Sequence, residues 1–149
     1  MAYKGRFKPN NPSKYDGDPT NIIYRSGLEL RYMQFLDSNK SVIKWSSEEV
    51  IVPYFDQASK RYRRYFPDFV VTVRTPTGGT QSTMVEVKPH KQCSPPTGAM
   101  HQDGRKNRRL IKEQLTFITN SCKWEAAESY CADRQWKFVK ITEKDLGGY

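Results

Sequence analysis

The stretch from Tyr65 to Lys88 constrains this chain more than any other. It reads Phe66-Pro67-Asp68-Phe69-Val70-Val71-Thr72-Val73, a turn at Pro76-Thr77-Gly78-Gly79, then Met84-Val85-Glu86-Val87-Lys88. Both apolar runs are short, rich in β-branched residues and bounded by turn formers, which predicts two antiparallel strands joined by a hairpin loop. Side chains alternate along a strand, so Glu86 and Lys88 share one face while Val85 and Val87 point to the other. Asp68 stands at the start of the first strand, just after Pro67. Beside Glu86 and Lys88 it would bring three charged groups to a region otherwise built of Val and Phe. Charge against an apolar core is costly unless it is paired or bound to a metal. Two acids and a lysine on adjacent strands therefore point to a divalent-metal hydrolytic site.

Upstream, Ser26-Gly27-Leu28-Glu29 has the capping-box pattern of a helix start, and Leu28, Tyr32, Phe35 and Leu36 follow at helical spacing until Asp37-Ser38-Asn39. Val42 to Trp45 and Glu49 to Phe55 read as two strands around Ser46-Ser47. Val50, Val52 and Tyr54 share one face of the second, with Glu49, Ile51 and Pro53 on the other. Pro53 marks weakened pairing or an exposed edge. Arg61-Tyr62-Arg63-Arg64-Tyr65 interleaves basic and aromatic residues, which suits phosphate contact with stacking, or equally a solvated edge strand.

Downstream, residues 89–102 lack an apolar period and are expected to form a mobile loop leading away from the site. Two helices are predicted, Gly104 to Thr119 with Leu110, Ile111, Leu115 and Ile118 inward, and Lys123 to Arg134 with Trp124, Ala127, Tyr130 and Cys131 inward. A last strand covers Trp136 to Ile141, and Thr142 caps a short turn. Residues 1–21 form a basic arm, with Tyr3, Phe7 and Tyr15 to pack it and Lys4, Arg6, Lys8 and Lys14 open to phosphate or solvent.

Length fits one domain over residues 1–149, without internal repeat or second domain. The net charge of +9 favours a polyanionic partner as readily as it describes a basic surface. Three cysteines without framework spacing suggest reduced thiols in a cytosolic compartment, Cys122 and Cys131 packed in or beside the last helix. No apolar run is long enough to span a membrane, and the N-terminus lacks the apolar segment of a signal peptide.

Carboxylates suit magnesium or manganese better than zinc. Asp68 and Glu86, with the backbone carbonyl of Val87, would hold one such ion. Lys88 would orient the attacking water or neutralise charge at phosphorus, and Glu29 would orient Lys88 or serve a second metal. Each residue also has a plainer reading. Pro-Asp is commonly a turn, Glu-x-Lys a surface ion pair, Glu29 the partner of the Ser26 cap, and Glu48 and Glu49 surface charges. The ordered set of helix with Glu, hairpin, Pro-Asp strand, Glu-x-Lys strand and basic helix favours the site. Arg63, Arg64, Arg105, Lys106, Arg108, Arg109 and Lys112 are the candidate DNA-backbone contacts, the last five equally readable as a solvated helix face. His90, Cys93 and His101 offer three ligands at irregular spacing, a poor zinc set.

Tyr24-Arg25-Ser26-Gly27-Leu28-Glu29, Tyr65-Phe66-Pro67-Asp68-Phe69 and Val85-Glu86-Val87-Lys88 together resemble the PD-(D/E)xK nuclease superfamily, in the branch holding phage junction-resolving endonucleases and TnsA-type transposase subunits. Over nearly the whole chain the sequence resembles the head-completion nucleases of tailed phages with contractile tails. Ser13-Lys14-Tyr15, Val52-Pro53-Tyr54-Phe55, Arg63-Arg64-Tyr65-Phe66 and Lys123-Trp124-Glu125-Ala126-Ala127 are among the segments that carry this likeness. The resemblance implies an α/β, restriction-endonuclease-like mixed sheet flanked by helices, with an active site of Glu29, Asp68, Glu86 and Lys88 using magnesium. It also implies a role at the portal or head–tail connector after DNA packaging, in the host cytoplasm and the virion. Two other functions fit: a structural head-completion protein that holds the DNA end without cutting it, and a junction resolvase, for which no dimer-forming element is visible.

Overall fold

The computed structural model describes residues 4–97 and 108–146. Its centre is a four-stranded mixed sheet in the order β3 (Val42–Ser47), β6 (Phe69–Arg74), β7 (Thr80–Val87), β8 (Lys137–Ile141). β6 lies antiparallel to β3 and to β7, whereas β8 lies parallel to β7. The expected hairpin is β6–β7. Gly78 turns its loop at φ +89°, a backbone conformation that glycine adopts without a Cβ penalty.

Alternation in the central strands divides the core into two layers. Phe69, Val71, Val85 and Val87 face one side, where they meet Tyr32, Met33 and Leu36 of α1 (Gly27–Ser38). Met84 faces the other side, where Ala127 and Cys131 of α2 (Arg108–Asp133) cover it. Glu86 and Lys88 continue the Met84 face.

A second hairpin, β4 (Val52–Asp56) and β5 (Arg61–Tyr65), also packs on α2. Val52, Tyr54 and Tyr65 point inward, and Pro53 and Ile51 are exposed, as the alternation predicted. The Thr119 hydroxyl of α2 donates to Asp56 Oδ1 at 2.9 Å and fastens the hairpin tip to the helix. β3 and β4, adjacent in sequence, belong to different sheets.

Two expectations need correction. Residues 108–133 form one 26-residue helix, not two. The expected gap between them, Asn120-Ser121-Cys122, is helical. Asn120 is in fact buried, and with Trp124, Ala127 and Cys131 it forms a continuous inward stripe at spacings of four, three and four. That stripe leaves Ile111, Leu115 and Ile118 exposed, contrary to the face assigned to them, and Phe35 of α1 is likewise exposed.

The N-terminal segment packs on the body. β1 (Gly5–Phe7) pairs with β2 (Ile22–Tyr24), burying Phe7 and Ile22, and Tyr15 packs edge-on to Trp45 at 4.8 Å. Lys14 donates to the carbonyls of Asp37 (3.0 Å) and Asn39 (2.7 Å) at the end of α1, so it caps a helix rather than facing phosphate. Tyr3, Arg105, Lys106 and His101 lie outside the described residues.

Candidate active site

The site forms where β6 begins and β7 ends. Phe69 is in register with Val85, so the next residues along, Asp68 and Glu86, stand side by side on neighbouring strands. Asp68 Oδ2 accepts the backbone N–H of Val87 at 2.8 Å, which fixes the carboxylate against β7. Glu86 is 5% exposed; its Oε1 lies 3.5 Å from Lys88 Nζ, and its Oε2 accepts the hydroxyl of Tyr65. The Lys88 backbone is braced in turn, its N–H donating to the Ile141 carbonyl of β8 at 3.0 Å.

Glu29 approaches from the N-terminus of α1. Ser26 Oγ accepts the Glu29 N–H at 3.1 Å, while Glu29 Oε2 accepts the Arg25 N–H at 3.1 Å and the Ser26 hydroxyl at 3.3 Å. That is the reciprocal capping box read from the sequence. The hydrogen bonds of Glu29 therefore go to the cap, and the lysine pairs with Glu86.

These carboxylates oppose one another electrostatically. Burial, then the charges of Glu86 and Glu29, push Asp68 well above the usual carboxylate range against the Val87 N–H and Lys88. Burial also raises Glu86, while Tyr65, Lys88 and Lys123 pull it down. Glu29 is raised by burial and by Glu48, against the Arg25 N–H and the Ser26 hydroxyl. The pair Asp68 and Glu86 thus holds a proton to higher pH than either acid would in water.

Two members of the site escaped the sequence reading. Lys123, on α2, lies with Nζ 5.7 Å from the Tyr65 ring centroid. Its own pKa is lowered by burial and by Lys88, and raised by Glu86. Glu48, read as a surface charge, has φ +56°, donates its N–H to the Asp68 carbonyl at 3.2 Å and pairs with Arg25 at 2.8 Å. Lys123 stands in a segment that carries the whole-chain likeness, but neither residue reads as part of the site from sequence, because helix and loop bring them in from elsewhere in the chain.

The donor set suits a hard cation. Asp68 and Glu86 supply oxygen ligands whose mutual repulsion a divalent ion would relieve, and the Val87 backbone to which Asp68 bonds is adjacent. Among the described residues no three His, Cys, Asp or Glu side chains gather into a ready-made metal cage. A site of two carboxylates with water in the remaining positions fits magnesium, which keeps much of its hydration. His90 takes no part in any such cluster; its N–H is held by the carboxylate of Glu143.

The proposed DNA contacts divide. Arg64 is exposed on β5, and Arg63 is partly engaged by Asp56 at 3.4 Å. Arg108, Arg109 and Lys112 line the exposed start of α2, where Arg109 also pairs with Glu113 one turn on at 3.0 Å.

With this arrangement in view, residues 39–143 match the family model described as TnsA-like endonuclease N terminal. The chain belongs to the TnsA-like endonuclease N-terminal family. The match contains Asp68, Glu86, Lys88 and Lys123, and begins after Glu29. Its restriction-endonuclease-like fold agrees with the mixed sheet flanked by α1 and α2. This TnsA-like chain is also 39% identical over 146 residues to a protein of Enterobacteria phage T4 named head completion nuclease, covering 98% of this chain and 95% of that protein. No helix among the described residues is long and apolar enough to cross a membrane.

Proposed function

We propose that the protein is a divalent-metal-dependent DNA endonuclease of the PD-(D/E)xK type, acting in phage head completion. The observation that carries this reading is the juxtaposition of Asp68 and Glu86 on neighbouring strands, with Lys88 beside Glu86. Family membership and the name of the T4 relative support a phage nuclease.

Asp68, Glu86 and the Val87 carbonyl would hold magnesium, with manganese able to replace it, and Glu29 lies near enough to act on Asp68 through its charge. When bound, the ion would stabilise negative charge developing on the phosphate and ease deprotonation of water. Lys88 holds a cation at the carboxylate pair, where it can orient the attacking water or meet an oxygen of the phosphate. Tyr65 and Lys123 favour the ionised form of Glu86, the form that can accept a cation. Arg63, Arg64, Arg108, Arg109 and Lys112 contact the DNA backbone, and no base-reading helix of a known type accompanies them. The place of action is the head–tail junction after packaging, in contact with portal or connector proteins, with the protein present in the host cytoplasm and the virion.

The test is nicking of a supercoiled plasmid with magnesium or manganese, comparing wild type with a folded Glu86→Ala protein. Cleavage by wild type alone is expected. If wild type binds the plasmid and leaves it intact under both metals, the protein holds DNA without cutting it, and the enzymatic reading falls.

A further inference from the structure

The two faces of the β4–β5 hairpin differ sharply. The inner face buries Val52, Tyr54, Asp56 and Tyr65 toward α2. On the outer face the register sets Phe55 opposite Tyr62 and Pro53 opposite Arg64. Tyr62 is 82% exposed, and its ring meets that of Phe55 at 5.0 Å and 72°, an edge-to-face contact. Arg64 is exposed on the same face as Tyr62, and Lys60 is exposed in the turn just before β5. The hairpin's single acid, Asp56, is buried and bound to Arg63, Ser59 and Thr119, so the exposed side is basic.

A large ring surrounded by cations is poorly matched to an apolar protein surface, which would strip the cations of water. It is well matched to a nucleic acid strand, in which π-faces alternate with phosphates. Inside a duplex both faces of each base are covered by neighbouring bases. Only an unpaired nucleotide has a face free for a tyrosine.

The hairpin is also placed to pass such a strand to the carboxylates. Among the described residues β5 pairs only with β4, so its outer edge is open. Tyr62 and Tyr65 lie on opposite faces of the same strand, and Tyr65 holds Glu86, so a nucleotide strand would run from one to the other round this β5 edge. Three residues of strand span about 10 Å, roughly the length of three stacked nucleotides.

We propose that the outer face of the β4–β5 hairpin is a stacking platform for an unpaired nucleotide. Tyr62 lies against the base, and Arg64, two residues on along the same face, lies against a flanking phosphate. The site therefore takes DNA with a single-stranded segment, such as an overhang, gap or frayed end, in preference to blunt duplex. This inference rests on the DNA-nuclease reading and names its substrate class.

The test measures binding without cleavage, in EDTA, to two labelled duplexes with the same total number of phosphates, one blunt and one with a short overhang. Wild type should bind the overhang about tenfold more tightly, from the stacking of one base. Tyr62→Ala should lose that preference, and Tyr62→Phe, which keeps the ring, should retain it. Arg64→Gln should weaken both duplexes alike and flatten the salt dependence. Equal binding of the two duplexes by wild type overturns the platform, as does a Tyr62→Ala protein that keeps the preference. In either case the nuclease reading stands, because DNA is still bound. Failure of wild type to bind either duplex overturns both.

Discussion

The hydroxyl of Tyr65 donates its hydrogen bond to Oε2 of Glu86, joining the β4–β5 hairpin to β7, one of the two inner strands of the main sheet. Both partners are buried, so removing the donor leaves a carboxylate oxygen away from water without its partner. Tyr65→Phe should lower stability by about 1–3 kcal/mol, read from urea unfolding. The same bond lowers the Glu86 pKa, so the variant's cleavage should begin at higher pH than that of wild type. An unchanged acid limb would show that Tyr65 does no more than fill space.

Asp68→Asn should stabilise the metal-free protein while abolishing cleavage. Its carboxyl is raised in the folded state, so the folded chain keeps a proton that the unfolded chain has already released. Stability therefore falls as pH rises from the ordinary value near 4 through the raised one, which is the cost of ionising a buried acid. The asparagine removes that cost and can still accept the Val87 N–H. Thermal unfolding in EDTA should show a gain that grows as pH rises above the ordinary carboxylate value and disappears below it. Added magnesium should raise the wild-type midpoint and leave the variant's unchanged. A pH-independent difference would remove the electrostatic explanation.

Lys123→Met should shift the acid limb of cleavage upward by depriving Glu86 of one of its cations. If the ammonium also meets a phosphate, the slope of log affinity against log salt in EDTA should fall by about 0.9. Lys123→Arg should keep the slope. A methionine variant with wild-type pH profile and slope would reduce Lys123 to a cover for the Tyr65 ring.

Lys14→Ala should unfold more easily and bind DNA normally. Its ammonium joins two carbonyls at the end of α1, and the neighbouring Asn10 and Asn11 N–H groups bond the Asp37 carboxylate at 2.8 and 3.0 Å. Charged hydrogen bonds of this kind contribute about 1.5–3 kcal/mol. A loss of salt-dependent binding in the variant, with stability intact, would return Lys14 to the DNA-facing set.

The parts of the fold that were legible from sequence depend on neighbours within a few residues. Ser26 and Glu29 announce the start of α1 because a capping box closes over three positions, and the Pro76–Gly79 turn fixes the β6–β7 register that sets Asp68 beside Glu86. What escaped depends on packing at a distance. The helix predicted to end at Thr119 runs on, because burial of Asn120 in the α2 stripe outweighs the low helix preference of an asparagine. Nothing in the order of strands revealed that β3 and β4 part into different sheets. Lys123 belongs to a segment that carries the family likeness, but it joins the site only once α2 is laid across the hairpin and β7.

The position of β8 has a consequence for how the protein is made. Its Ile141 carbonyl holds the Lys88 backbone, and its parallel pairing covers the edge of β7 that carries Glu86. A chain still emerging from the ribosome has Glu29, Asp68, Glu86 and Lys88 in hand some fifty residues before the strand that braces the last two is synthesised. Nascent chains therefore lack the strand that braces Lys88 until synthesis has passed Ile141.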